Sequence, residues 1–466
     1  MKKLTLYLTL LIALLLTACS GNKSIESRER RTISQEEAKE LIDNSNYIFV
    51  DLRTVDEYIG WPIDIQREGH IKGAVDFPES WFSLIERDKE LSKELQRRGI
   101  HSDKTLILYT RYGGVDDRII QRLTSLGYED VAVLEGGIKK WAADKKLPME
   151  KLKNYEIYVY PQWIDDLRAG KKVANYDGRP FIILEVSYRQ KPAGQIPGSI
   201  HIDDSLNHLR GERNFLKYRN IPLEVKSKFW NRPSDKKIEE TLLSLGITKD
   251  TMVILYGPNL LAANRCAAVM KYAGVEDIRI LNGGSKRLET ENYPFVQGYA
   301  SPKPAKDFGA QIPVNPEVLI DFEDEMRIMK STNSVVASIR SWKEYIGEVT
   351  GYTYIDDKGD IAEARFGYAG SDPYHMQDYR NVDNTMFNYK VIEERWNRWG
   401  ITPEREVAFH CGTGWRASET YFYALSMGWE NIHVYDGGWY EWHMKDAPRK
   451  PLGVPEDAPE VPVAMF

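Results

Sequence analysis

Cysteine is scarce in this chain, with three in 466 residues, and there is no cluster of His and Cys at metal-ligand spacing. No metal or organic cofactor is therefore implied. An excess of one charge is missing too: the net charge is −6 and acids and bases are mixed along the chain. That balance speaks against a nucleic-acid binder or a basic membrane patch. The apolar run Leu4 to Leu16 is short for a spanning helix. At roughly 100 to 200 residues per domain, the length points to three domains.

With so few cysteines, their roles separate. Lys2 and Lys3, the apolar run, and then small residues before Cys19 have the layout of a secretory signal. Leu16, Thr17, Ala18 and Cys19 resemble a bacterial lipobox. That resemblance implies a signal peptide over 1–18, cleavage before Cys19 and acylation of that residue. It also implies an exported, lipid-anchored protein, periplasmic or at the cell surface, and at the outer membrane if the host is Gram-negative. Cys266 lies in the Ala-rich helical pattern LAANRCAAVMKYAG and reads as a small buried thiol. A disulfide from Cys266 to Cys411 would join the middle of one domain to a loop of another, so none is expected. A lone thiol kept in an oxidising compartment is a thiol in use.

The chain repeats itself at a period of about 150 residues. The first copy reads YIFVDLR, EGHIKGAVDFP, KTLILYT and LTSLGYEDVAVLEGGIKKW. The second reads FIILEVS, AGQIPGSIHI, TMVILYG and MKYAGVEDIRILNGG. The third reads SVVASIR, KGDIAEARFG, EVAFHCG and LSMGWENIHVYDGGWYEW. Short apolar, β-branched runs alternate with amphipathic patterns, which predicts an α/β fold with parallel sheets and helices on both faces. The divisions fall at a tether over 19–31, domains over 32–150, 155–298 and 314–450, and a Pro-rich tail over 451–466 that is extended on the surface or disordered.

The third copy holds VAFHCGTGWRASE, residues 407–419. A buried strand runs into a tight turn of Cys411, Gly412, Thr413, Gly414, Trp415 and Arg416, and a helix begins there. Backbone N–H groups at such a helix start ring the sulfur and stabilise a thiolate or a bound anion. With Arg416 adding positive charge, the thiol pKa is expected below its free value of about 8.5. Alignment on the preceding strand places Thr110 and Gly257 at the cysteine's position in the other copies, so those two are expected to be catalytically silent. His410 should point away from Cys411 by the strand pleat. Trp415 either roofs the site or packs between domains, and Glu419 reads as a solvated helix residue.

This loop, with Gly428, the paired Gly437 and Gly438, and Trp442 after it, resembles the rhodanese family of sulfurtransferases. The resemblance spans nearly all of the mature chain and implies three tandem rhodanese-like domains. It further implies a two-step cycle. Cys411 takes a sulfane sulfur from a small anionic donor, thiosulfate or 3-mercaptopyruvate, and passes it to a thiol, cyanide or a protein. Four residues between Cys411 and Arg416 make a smaller cradle than that of the related phosphatases and arsenate reductases, which favours sulfur. The CGTG sequence is similar to the CGSG of 3-mercaptopyruvate enzymes and tilts the donor that way. Two departures weaken it: Gln195 stands at the place of a histidine, and Ser338 at the place of an acid. Arg340, at the end of its strand, is the stronger candidate clamp for the donor; Arg365 reads as an ion pair. The alternative is a sulfane-sulfur carrier whose silent copies dock a partner.

Overall fold

A computed structural model of the chain describes residues 31–188, 190–203 and 222–462. The signal, Cys19 and nearly all of the tether lie outside the described residues. Three five-stranded, wholly parallel sheets follow one another along the chain. In the third copy the strands lie side by side in the order Leu319–Ile320, Ile432–Tyr435, Glu406–His410, Ser334–Ser338 and Arg365–Phe366. The other two copies repeat that order strand for strand. Their central strands are continuous apolar runs, as expected where helices cover both faces of a sheet.

This order has a switch point. The chain leaves Ser334–Ser338 toward one edge of the sheet and leaves Glu406–His410 toward the other. A crevice therefore opens between the carboxyl ends of these two neighbours, where ligands of open α/β sheets bind. Cys411 follows one strand and Arg340 the other.

Register supports the alignment of the three loops. Tyr109 faces Asp51, Tyr256 faces Glu185 and His410 faces Ser338. Thr110, Gly257 and Cys411 are thus the next residues of equivalent strands. The paired glycines are also accounted for. Trp439 N–H donates to Cys411 O at 2.8 Å and Tyr440 N–H to Gly412 O at 3.0 Å. Gly438 sits at φ +57°, where a Cβ would lie 2.7 Å from Cys411 O. The first copy repeats this clasp from Ile138 and Lys139 to Thr110 and Arg111.

The passage from the first domain to the second is ordered. Met149–Glu150 turns back to pair with His70–Ile71, and Tyr158–Val159 already belongs to the second sheet. The tail, as far as it is described, runs extended along the third domain: Gly453 N–H donates to Ile346 O at 2.8 Å, and Asp457 pairs with Arg365. Arg365 is thus the ion pair that its sequence setting suggested.

The second and third domains join through equivalent helices, Leu260–Ala273 and Trp415–Met427. Ala262, Ala263, Cys266 and Ala267 are all fully buried, and small side chains there let the backbones approach. Cys266 is the buried thiol expected of it. The first domain braces the third: Trp81 Nε1 donates to Asp383 at 2.8 Å, Arg97 Nη2 to Gln377 O at 2.5 Å, and Asn388 Nδ2 to Asp76 at 2.8 Å.

In the second copy Glu185 and Ser187 stand where the first has the ion pair Asp51–Arg53. Among the described residues no arginine meets Glu185, which is enclosed and takes hydrogen bonds from Tyr256 OH (3.0 Å) and Tyr299 OH (3.1 Å). Burial pushes its carboxyl up to about 7, although both tyrosines pull the other way. A folded-state value above the unfolded one means that stability is intact below about pH 4 and falls as pH rises toward 7. Glu185→Gln is therefore expected to raise the unfolding free energy read by urea denaturation at pH 8, by at most about 3 kcal/mol, and to change it little at pH 4. No gain at pH 8 would contradict this account.

Candidate active site

The loop from Cys411 to Arg416 is held from behind by a chain of buried charges. Glu344 stands three residues after Ser341 at the start of the short helix Trp342–Tyr345 and closes a capping box: Glu344 Oε2 accepts from Ser341 N–H at 3.0 Å. The same carboxylate takes both Nη groups of Arg416, at 2.9 and 3.0 Å. Arg340 Nε lies 3.4 Å from Glu344, and Arg340 Nη1 lies 3.4 Å from Asp360 while donating to Gly359 O at 2.5 Å. Asp360 in turn accepts from Ser338 Oγ at 2.7 Å and stands 3.0 Å from His410 Nε2. Burial opposes ionisation of both acids. Even so, Arg416 and Arg340 hold the Glu344 carboxyl down at about 2, and His410 and Arg340 hold Asp360 at about 2.

Arg340 is thus no donor clamp. A clamp needs guanidinium N–H groups facing the cleft, whereas this side chain is fully enclosed and bound to Glu344, Asp360, Gly359 O and Thr350 O. Arg416 is likewise enclosed. Its charge acts on the sulfur, but Glu344 matches that charge and the guanidinium shows no surface to a ligand. Ser338 departs from the acidic pattern because Asp360, on a loop, supplies the carboxylate instead. His410 is structural, as its place on the strand predicted.

Ahead of the loop lies a cleft of about 740 Å³ between the second and third domains. Thr413 and Trp415 reach it from the loop, and Tyr352, Tyr354, Tyr374 and Arg380 from the long segment before the catalytic strand. Tyr188, Trp230 and Leu261 come from the second domain. Tyr352 stacks on Tyr354 with ring centres 5.1 Å apart, Tyr354 on Trp230 at 4.8 Å, and Tyr188 meets Trp415 at 5.1 Å. Trp415 therefore both walls the cleft and packs between domains. Arg380 is paired with Glu419, which is buried rather than solvated because its helix is enclosed by the second domain. Gln195 lies away from the cleft, its side chain accepting from Gly298 N–H at 2.8 Å.

Cys411 is 0 % exposed and lies beneath this aromatic floor. A Cβ on Gly412 would lie 2.3 Å from the Tyr352 ring, so the glycine lets the ring settle on the loop. The Tyr352 hydroxyl donates to Pro373 O at 2.8 Å. Gly414, at φ +80°, starts the helix without a side-chain cap, so the first-turn amides of Trp415–Met427 remain available to an anion.

The second domain also reaches the loop itself, through two arginines that the sequence does not single out. Arg265 is 1 % exposed; it pairs with Asp436, which immediately precedes the paired glycines, and its Nη1 would lie 3.2 Å from a Cβ at Gly414. Arg232 also reaches Asp436, through its N–H at 2.8 Å. Nothing in the sequence pairs these residues, which stand about 170 and 200 positions apart.

The family model for the rhodanese-like domain matches residues 34–144, 161–291 and 323–445. The chain is 35 % identical over 466 residues to the thiosulfate sulfurtransferase YnjE of Escherichia coli K12, covering 99 % of each. It is 26 % identical over 293 residues to the sulfur carrier protein TtuD of Thermus thermophilus, covering 62 % of this chain and 93 % of that one. Among solved structures, wild-type EanB superposes with a TM-score of 0.84 at 34 % identity, covering 92 % of this chain and 99 % of the other. Related EanB structures hold hercynine, ergothioneine or a cysteine persulfide.

Two predictions follow from the charge chain and from Arg265. Because Glu344 and Asp360 titrate lower folded than unfolded, their stabilisation is complete above about pH 4.5 and is lost as pH falls toward 2. Glu344→Gln leaves a buried guanidinium poorly matched and is expected to cost about 3–5 kcal/mol at pH 7 and much less at pH 3, read by urea denaturation at both values. Arg265→Gln is expected to lower kcat about tenfold with KM little changed, by loosening the loop rather than the cleft, and Arg265→Lys to restore part of it. A change in KM alone would place Arg265 in binding instead.

Proposed function

The chain belongs to the rhodanese family, and from that membership we propose that it moves a sulfane sulfur from a small anionic donor through a persulfide on Cys411 to an acceptor bound in the aromatic cleft. The observation that carries the reading is the third-copy loop: a cysteine at the switch point of its sheet, the uncapped amides of a helix start beside it, and Arg416 locked behind. Only this copy has a thiol at that position.

In the first step the Cys411 thiolate attacks the outer sulfur of the donor. The S–S bond of thiosulfate breaks and sulfite leaves, or the C–S bond of 3-mercaptopyruvate breaks and pyruvate leaves with the thiol proton. Cys411 becomes a persulfide in either case. Charge on the incoming sulfur is met by the loop amides, and the Thr413 hydroxyl stands at the cleft. Among the described residues, Arg380 beside the cleft is paired with Glu419, and behind the loop Arg416 has Glu344 and Arg340 has Glu344 and Asp360. A dianion gains little from such walls, which favours 3-mercaptopyruvate over thiosulfate. The name of the YnjE relative argues for thiosulfate, so the donor is a direct test.

For the acceptor, the stacked walls formed by Tyr352, Tyr354 and Trp230 favour a second reading beside cyanide, a thiol or a protein. Aromatic faces suit a flat ring or a quaternary ammonium. Hercynine, seen in EanB complexes, carries both. Transfer of neutral sulfur from the persulfide to a ring carbon would return the Cys411 thiol and release that carbon's proton. We also retain, as a proposal, the exported and lipid-anchored placement through Cys19, tested by labelled-palmitate incorporation in the wild type against Cys19→Ala.

Purified protein given each donor with cyanide is expected to turn over with a higher kcat/KM for 3-mercaptopyruvate. Mass spectrometry should show one added sulfur on Cys411, and Cys411→Ala should lose at least about a thousandfold in rate. A large preference for thiosulfate overturns the choice of donor, and turnover surviving Cys411→Ala overturns the mechanism. Stoichiometric loading without turnover, restored by a partner protein, makes the chain a carrier. Release of ergothioneine from hercynine by the loaded protein selects the second acceptor reading.

A further inference from the structure

The helix that carries Glu344 also lends Trp342 and Lys343 to a different cavity, of about 400 Å³, at the meeting of the first and third domains and the tail. Among the described residues none lines both this cavity and the sulfur-transfer cleft. Its volume is within the range that holds small ligands.

Its walls are cationic on one side and aromatic on the other. Arg97, Lys343, Arg395 and Arg398 face only two carboxylates among the lining residues, Asp378 and Glu460. Arg395 is 8 % exposed, and its Nη1 has no hydrogen-bond partner, standing 3.5 Å from Asp378 Oδ1. A guanidinium engaged this loosely by its own carboxylate keeps hydrogen-bonding capacity for an anion in the cavity it lines. Burial also pushes the Asp378 carboxyl above its usual range, against the pull of Arg395 and Arg97.

The tail shows what chemistry the cavity accepts. The Glu460 carboxylate takes a hydrogen bond from the Tyr368 hydroxyl and lies 3.5 Å from Arg398 Nε. Behind it, Phe366 meets Trp342 edge to face at 5.0 Å and Tyr368, tilted, at 4.7 Å, an aromatic wall.

We propose that this cavity is a second ligand site, distinct from the sulfur-transfer cleft, for a small organic carboxylate with a flat apolar body. The carboxylate is held by Arg395 and Arg398, and the body lies along Trp342 and Phe366. Glu460, tethered on the tail, competes with it for Arg398.

Phenylacetate is the probe, titrated calorimetrically into the full chain at pH 7, with neutral phenylacetamide as the control. Phenylacetate is expected to bind at least tenfold more tightly than phenylacetamide. Arg398→Gln, at a half-exposed position where folding is not at risk, is expected to weaken it at least fivefold, and Arg395→Gln more. Glu460→Gln, which removes the competing charge, is expected to tighten it severalfold. Absence of binding to both wild type and Glu460→Gln overturns the proposal, and so does binding that Arg398→Gln and Glu460→Gln leave unchanged, since the probe then sits elsewhere.

Discussion

The buried pair between Arg416 and Glu344 is the constraint on which the site depends. A loop of Gly412, Thr413 and Gly414 has little of its own to fix it: two glycines, and a helix start without a side-chain cap. Its geometry is imposed from behind by a guanidinium gripped at both nitrogens by a carboxylate that is itself locked in a capping box. Buried ion pairs are weak sources of net stability because both partners lose hydration. Their value here is positional. The alternation Arg416, Glu344, Arg340, Asp360 leaves no net charge from these four behind the sulfur, so the thiol is served by oriented amides rather than by an exposed cation.

The three copies show what this framework is without its chemistry. The first keeps Asp51–Arg53 at the strand end and pairs Glu57 with Arg111, at 2.6 and 2.7 Å. Its Thr110, where the sulfur would be, turns its hydroxyl back to accept from Gly113 N–H at 3.0 Å and so uses that position to hold its own loop. In the second copy Gly257 leaves no side chain, and the following helix serves instead as the seat of the catalytic helix. Its Arg265 crosses to the loop of the third domain. Without a nucleophile, one copy braces the third domain and the other completes the cleft.

Much of this was legible in the sequence because it is periodic. Continuous apolar strands, the repeat and the paired glycines each have a local cause. The cysteine stood out for the same reason, as a reactive residue type at a strand-to-helix turn. What stayed hidden depends on contacts between distant segments. Arg340 was read as a clamp because a strand end says where a side chain begins, not which carboxylates surround it. Asp360 and the aromatic wall lie in the irregular stretch between Arg340 and the catalytic strand, where periodicity has nothing to say. The crowding of Tyr352 and Tyr354 in GYTYIDD was the available signal. Glu419 was read as solvated because its helix looks like a surface helix only until the second domain's alanine-rich face is laid on it.

The cleft's aromatic character follows from what a persulfide requires. The sulfur it transfers is formally neutral, so discharge gains little from a charged pocket and much from one that keeps water away and holds the acceptor flat against the sulfur. Cys411 is fully buried under Tyr352, and Cys266, the other described thiol, is enclosed in the second domain's helix. Neither location lets one sulfur resolve the other. A persulfide formed at Cys411 must then wait for an acceptor from outside, sheltered by these rings. That shelter is built by the second and third domains together, from walls that neither copy possesses alone.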